Sequence, residues 1–340
     1  MTRSPSPAHG SPVLAVDLGG SKTDLALVAG DDARAFLRRA TFPSREARSF
    51  DEILDRFLGF GADETVAAAA IGVAGPVRDG RCRVTNLSWD LDEDVLSARL
   101  GAPVVLVNDL VALAHGLPFL SGGELDELQT GVADPAGTAL LVAVGTGLGV
   151  SILAPGDGAS RKPLPSEGGH VELAARNDLE ARLLRRIRAQ FGRVEVERVL
   201  SGSGWPNLYF ALRDERPEQA QPAIDAAVRR NGASAIAEAA AHGDPLAMAT
   251  LDQWASWLGS VVGDLALSTL ATGGVYLAGG VAQKNADRLR ASDFLAGLVA
   301  KEPFSQLLRG IPVRLVLAPE TPLWGAAVLA LRRCETDALR

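Results

Sequence analysis

At 340 residues, with 47% hydrophobic and 22% charged residues, the chain is long enough for two domains and has the composition of a soluble globular protein. Its net charge of -7 argues against a broad nucleic-acid footprint or an anionic membrane surface as partner, so any bound phosphate must be held by backbone amides and a metal. The two cysteines, Cys82 and Cys334, are too few for a disulfide scaffold or a cysteine zinc site and suit a reducing compartment.

In chain order, Met1 to Pro12 is rich in Ser and Pro, lacks the apolar core of a signal peptide and is expected to be a disordered tail. The apolar runs Val13 to Val16 and Leu25 to Val28 read as strands around a Gly-rich turn, Asp17-Leu18-Gly19-Gly20-Ser21-Lys22-Thr23-Asp24. Arg45 to Phe60 carries Phe50, Ile53, Leu54, Phe57 and Leu58 at helical spacing. Thr65 to Val73 reads as a strand running into Gly72-Val73-Ala74-Gly75-Pro76. Pro103 to Val107 reads as a buried strand closed by Asn108-Asp109, with a helix from Leu110 to His115.

A second hairpin follows, with strands Leu140 to Val144 and Val150 to Leu153 around Gly145-Thr146-Gly147-Leu148-Gly149. No charge occurs between Asp134 and Asp157, but these glycines and their β-branched flanks favour a buried hairpin over a membrane span. Helices dominate beyond Asp157, among them Asp178 to Phe191 and about Pro245 to Thr272. The strand Gly274 to Ala278 meets Gly279-Gly280, and a last strand, Ile311 to Leu317, precedes a helix starting at Leu323-Trp324-Gly325-Ala326-Ala327. The pattern is that of an α/β fold with a partly parallel sheet, and the recurring hairpin marks a weak internal duplication of elements.

Glycine turns let backbone N–H groups converge on an anion, so two of them can hold a polyphosphate, with the Thr146 hydroxyl as a further donor. Asp17 could organise Mg²⁺ through its waters, or simply accept turn N–H bonds at a strand end. Asn108 and Asp109 are favoured helix caps; the functional alternative makes Asp109 a general base for a hydroxyl and Asn108 a substrate ligand. Ser166-Glu167-Gly168-Gly169-His170 reads as a turn presenting Glu167 and His170 together, better suited to polyol hydroxyls than to a metal. Glu197 is by default a solvated helix residue, and Trp89 and Trp205 suit the core better than the flanks of a sugar.

Together these segments make the chain, from about Val13 to Leu331, resemble the bacterial glucokinase branch of the hexokinase, actin and Hsp70 ATPase superfamily. The resemblance implies an α/β, two-lobed actin-like ATPase (ribonuclease H-like) fold, with a duplicated mixed sheet core and a cleft between lobes. It implies a small domain of residues 13–118 plus 324–340 and a large domain of 119–323, after the tail of residues 1–12. Asp17, Leu18, Gly19, Gly20 and Ser21 then fall on the first phosphate loop, Gly145, Thr146 and Gly147 on the second, and Gly279 and Gly280 on the adenosine loop. The catalytic aspartate falls on Asp109, and the sugar ligands on Asn108, Asp109, Glu167, His170 and Glu197. Ser21 stands where Thr is usual and keeps the hydroxyl. Asp24 puts a carboxylate near the mouth of the first loop, where some relatives carry Arg. The Cys-rich zinc motif of the neighbouring ROK sugar kinases is missing.

The implied activity is ATP-dependent phosphorylation of glucose at its C6 hydroxyl, the first step of glycolysis. The partners implied are glucose, ATP and Mg²⁺, with Asp17 touching the metal through water, in a cytoplasmic homodimer with no nucleic-acid or membrane partner. Sugar binding is expected to draw the lobes together. The alternatives are a kinase for mannose, fructose or glucosamine, a non-catalytic ROK-like sugar sensor, and an actin or Hsp70-like ATPase.

Overall fold

The computed structural model describes residues 11–59, 65–156 and 161–338. Residues 1–10 of the expected tail, Phe60 at the end of the first helix and Asp157 lie outside them. The chain divides into two compact units, Met1–Gly122 with Ala318–Arg340, and Gly123–Leu317.

In the first unit, β1 (Val13–Leu18), β2 (Lys22–Val28), β3 (Phe36–Pro43), β4 (Ala69–Val73) and β7 (Val104–Asn108) form one sheet in the order β3-β2-β1-β4-β7. A small ribbon of β5 (Arg81–Arg83) and β6 (Asp90–Asp92) lies outside it. β1 pairs antiparallel with β2 and parallel with β4, which pairs parallel with β7. Because side chains alternate along a strand, Leu14, Val16 and Leu18 share one face and Val13 and Ala15 the other. The first face packs on Phe50, Ile53, Leu54 and Phe57 of the helix Phe50–Leu58 and on Trp89. The second is lined by small residues, Ala26, Ala70, Ala112, Ala326, Ala327 and Ala330. That choice lets the helices Asp109–Gly116 and Thr321–Ala338 close onto the sheet.

Gly72 is a point of close approach between the sheet and the helix Asp109–Gly116. A Cβ placed there would lie 2.9 Å from the Ala112 Cβ and 3.6 Å from the Asp109 Cα. The sequence expectation for β4 began at Thr65; the strand starts at Ala69, where its N–H donates to the Pro103 carbonyl at 2.8 Å.

In the second unit, β8 (Leu125–Gln129), β9 (Ala139–Val144), β10 (Leu148–Pro155), β11 (Arg161–Ser166), β12 (Val275–Ala278) and β13 (Val313–Val316) form a sheet in the order β11-β10-β9-β12-β13-β8. The uncharged stretch is thus the hairpin β9–β10, and no helix among the described residues is long and apolar enough to cross a membrane. From β11 to β13 the directions succeed one another as they do from β3 to β7: two antiparallel pairings, then two parallel ones.

The helix Pro245–Ser268 runs through the core of this unit with Trp254 and Trp257 fully buried. Their indole N–H groups donate to the Leu200 and Ala174 carbonyls at 2.8 and 2.9 Å. The helix stops short of the expected Thr272. The Thr269 N–H and hydroxyl both turn to the Leu265 carbonyl, and Leu270 takes a left-handed φ of 45°. Trp89 and Trp205 are both buried in the cores of their units.

Gly72→Ala is expected to push the helix Asp109–Gly116 off β4, since the atom it meets is a short side chain fixed to that helix. The expected loss is about 1–3 kcal/mol, the range for overpacking, read from urea unfolding.

Candidate active site

In the first unit the residues singled out in the sequence gather at the carboxyl ends of β1, β4 and β7. The register sets Asp17 beside Gly72 and Gly72 beside Val107, one residue before Asn108. Gly19, Gly20 and Ser21 reverse the chain, and the Gly19 N–H closes on the Lys22 carbonyl at 3.0 Å. A buried residue holds this turn from behind: Ser44 donates its hydroxyl to the Gly19 carbonyl at 2.7 Å and its N–H to the Ser21 carbonyl at 3.0 Å.

Asn108 caps the helix Asp109–Gly116. Its Oδ1 accepts the Leu110 N–H at 3.0 Å, while its Nδ2 donates to the Gly75 carbonyl at 3.2 Å. An amide has two donors and two lone pairs, so the cap leaves one of each for a ligand. Asp109 is the first helical residue, and its Oδ1 also accepts from Leu110 N–H, at 2.9 Å. The capping and functional readings are therefore compatible.

Asp24 departs from expectation. Rather than standing at the mouth of the turn it is 3% exposed, pairs with Asp17 across the hairpin, and accepts from the Thr41 hydroxyl and, at 2.6 Å, from the Lys22 ammonium. Lys22 stands two residues away on the same strand and Thr41 on the neighbouring β3, and they hold the carboxylate inside the sheet.

In the second unit, Gly145 follows β9 and Gly279 follows β12, two parallel neighbours paired at Ala143 and Ala278. The turn and the Gly279-Gly280 corner therefore lie side by side at the carboxyl edge. Gly279 takes φ 93°, and a Cβ there would strike the Val144 carbonyl. At Gly145 and Gly280, by contrast, a Cβ would meet nothing within 4 Å, so the backbone faces open space. The segment after Leu200 closes on the turn: Gly202 N–H donates to the Gly145 carbonyl at 2.9 Å and Ser203 N–H to that of Thr146 at 3.1 Å.

Leu148 joins the expected sugar ligands to this turn. Its N–H donates to Glu197 Oε2 at 2.7 Å, and its carbonyl abuts Gly169 so closely that a Cβ has no room. Glu197, first residue of the short helix Glu197–Leu200, is thus half-buried and bonded to the hairpin, not solvated. Gly168 and Gly169 are buried against β10, which leaves Glu167 and His170 exposed at the two ends of their turn. His170 Nε2 lies 3.9 Å from Glu167 Oε2, beside it but not hydrogen-bonded. Among the described residues no group of three or more His, Cys, Asp or Glu could hold a metal ion.

The sequence model of the glucokinase family matches residues 14–333 of this chain. The chain belongs to the glucokinase family. Among its relatives, the glucokinase of Saccharophagus degradans is 35% identical over 327 residues, 93% of this chain and 97% of that one. The glucokinase of Synechocystis is 34% identical over 350 residues, 95% of this chain and 99% of its own. The crystal structure of a glucokinase from an Antarctic psychrotroph superposes with a TM-score of 0.80 at 32% identity, covering 95% of this chain and 99% of that one.

For this glucokinase-family chain, sequence reasoning missed Ser44, the Leu148 peptide and Glu195. Nothing in the sequence ties Ser44 to a turn 25 residues away. Glu195 had a signal: it interrupts two buried valines, Val194 and Val196, in the period of an extended chain.

Burial raises Asp17 to about 7, helped by the neighbouring carboxylates Asp109 and Asp24 and opposed by Lys22. The native protein therefore keeps a proton that the unfolded chain releases from 3.8 upward, so this group's contribution to stability falls as pH rises from about 4 to about 7. Asp17→Asn is expected to resist urea better than the wild type at pH 8, with the advantage shrinking toward pH 4. Urea unfolding of both proteins across that range, without ligands, checks it.

Proposed function

We propose that this protein phosphorylates glucose at the C6 hydroxyl, using ATP and releasing glucose 6-phosphate and ADP. The observation that carries the reading is the position of Asp109: in a chain of the glucokinase family, it is the first residue of a helix at the carboxyl end of a parallel strand. Asp109 accepts the proton of the 6-hydroxyl as that oxygen attacks the γ-phosphorus in line, and the bond to the ADP oxygen breaks. N–H groups of the turns Gly19 to Ser21 and Gly145 to Gly147 donate to phosphate oxygens, and the Gly279-Gly280 corner takes the adenosine. Asn108, Glu167, His170 and Glu197 bind the sugar hydroxyls. Glu197 does so with one oxygen already on the Leu148 N–H, so the sugar and the phosphate turn share a ligand.

The residues fit Mg²⁺. Asp17 is raised by burial, with the carboxylates of Asp109 and Asp24 adding to it, a repulsion that a cation held through its waters would relieve. When bound, the ion neutralises charge on the phosphates. The matching succession of strands in the two sheets supports an actin-like ATPase fold with a duplicated core. A homodimer, a cytoplasmic location and a place in glycolysis rest on the family. Both phosphate turns and Asp109 would be without purpose in a non-catalytic sugar sensor.

ADP release from Mg-ATP is the test, with glucose, fructose, mannose, N-acetylglucosamine or no sugar. Release is expected to depend on glucose, and Asp109→Asn to lower turnover by about 10²–10⁴, the range for a lost general base. A variant within about threefold of the wild type would remove Asp109 as the base.

A further inference from the structure

Glu195 stands where it can act on an expected sugar ligand without touching the sugar. It lies on an extended segment whose backbone pairs with the chain just past His170: Leu173 N–H donates to the Val194 carbonyl at 3.0 Å, and Val196 N–H to that of Val171 at 2.9 Å. Alternation along that segment sends Val194 and Val196 into the core and Glu195 to the other side, where its Oε2 comes within 3.3 Å of His170 Nδ1. The carboxylate is itself held, 18% exposed, with Arg193 at 3.5 Å and Arg198 at 3.4 Å from its two oxygens. Arg193 also donates to the His170 carbonyl, so ring and backbone of this residue are fixed from one side. Glu167, at 3.9 Å from Nε2, is too far to compete for the ring proton.

We propose that Glu195 is a positioning residue for sugar binding: it accepts the Nδ1–H of His170 and thereby presents Nε2 to a hexose hydroxyl as a hydrogen-bond acceptor. A neutral imidazole donates from one nitrogen and accepts at the other, and the partner of one nitrogen decides the role of its twin. The inference deepens the kinase reading and rests on His170 being a sugar ligand. It gives His170 one definite role, that of an acceptor, where the residue type alone allows two.

The test uses the full chain labelled with ¹⁵N at histidine, with long-range ¹H–¹⁵N spectra recorded at alkaline pH. His170→Gln identifies the His170 signals among the four histidines. In the wild type His170 is expected to show the Nδ1–H pattern. Glu195→Ala is expected to move it toward Nε2–H and to raise the glucose KM roughly 3- to 10-fold, the loss of one hydrogen bond, with kcat and the ATP KM within about twofold. Glu195→Gln, whose amide oxygen still accepts, is expected to keep both the tautomer and the KM near wild type. An Nε2–H pattern in the wild type overturns the proposal. So does a Glu195→Ala protein with unchanged tautomer and KM, or one with kcat and KM damaged together and no rescue by Gln. An unchanged glucose KM in His170→Gln would instead remove His170 from the sugar site, overturning the underlying ligand assignment while the spectra still judge the contact with Glu195.

Discussion

Parallel pairing puts the carboxyl ends of neighbouring strands on one edge of a sheet, and the place of nearly every candidate residue follows from it. Beyond the last paired residue the backbone groups lose their ladder partners, and a chain that reverses or enters a helix there exposes N–H groups on that edge. β1, β4 and β7 bring Asp17, Asn108 and Asp109 to one edge, while β9 and β12 bring Gly145 and Gly279 to another. Glycine at these corners keeps the exposed N–H groups reachable.

The edges alone do not hold the turns in shape. Each turn is fastened by a residue from a separate segment: Ser44 takes both ends of the first, and Gly202 and Ser203 close on the second. Such fastening removes freedom that an unattached loop would keep, so the N–H groups of each turn are held in one arrangement. Leu148 extends this to the expected sugar ligands, with its N–H on Glu197 and its carbonyl against Gly169. Two backbone groups of one residue thus meet residues from two distant segments.

Charge is handled differently in the two carboxylates of the first hairpin. Asp24 is buried but paired with Lys22 and Thr41, so its burial is compensated. Asp17 is raised toward neutrality by burial first, and two neighbouring carboxylates add to the shift. The one with partners is structural, and the one without enough of them is the candidate for a cation.

Much of this was legible in the sequence. The glycine turns, the Asn108-Asp109 pair and the Ser166 to His170 turn are local: a few adjacent residues of restricted type carry each signal, and apolar spacing placed the helix Asp178–Phe191 and the start of the helix Pro245–Ser268. Helix and strand ends were less legible, because Leu270 and the Pro103 carbonyl act on them through backbone geometry that residue type does not encode. What only the tertiary structure decided were the pairings between distant segments. Asp24 is a surface residue by type and a buried one by its partners, Glu197 a solvated helix residue by type and a hairpin ligand by position. Glu195 acquires its place beside His170 through an antiparallel pairing of Val171 to Leu173 with Val194 to Val196. The physical reason is common to all three: side-chain chemistry is written residue by residue, whereas the partner that gives it a role is supplied by register.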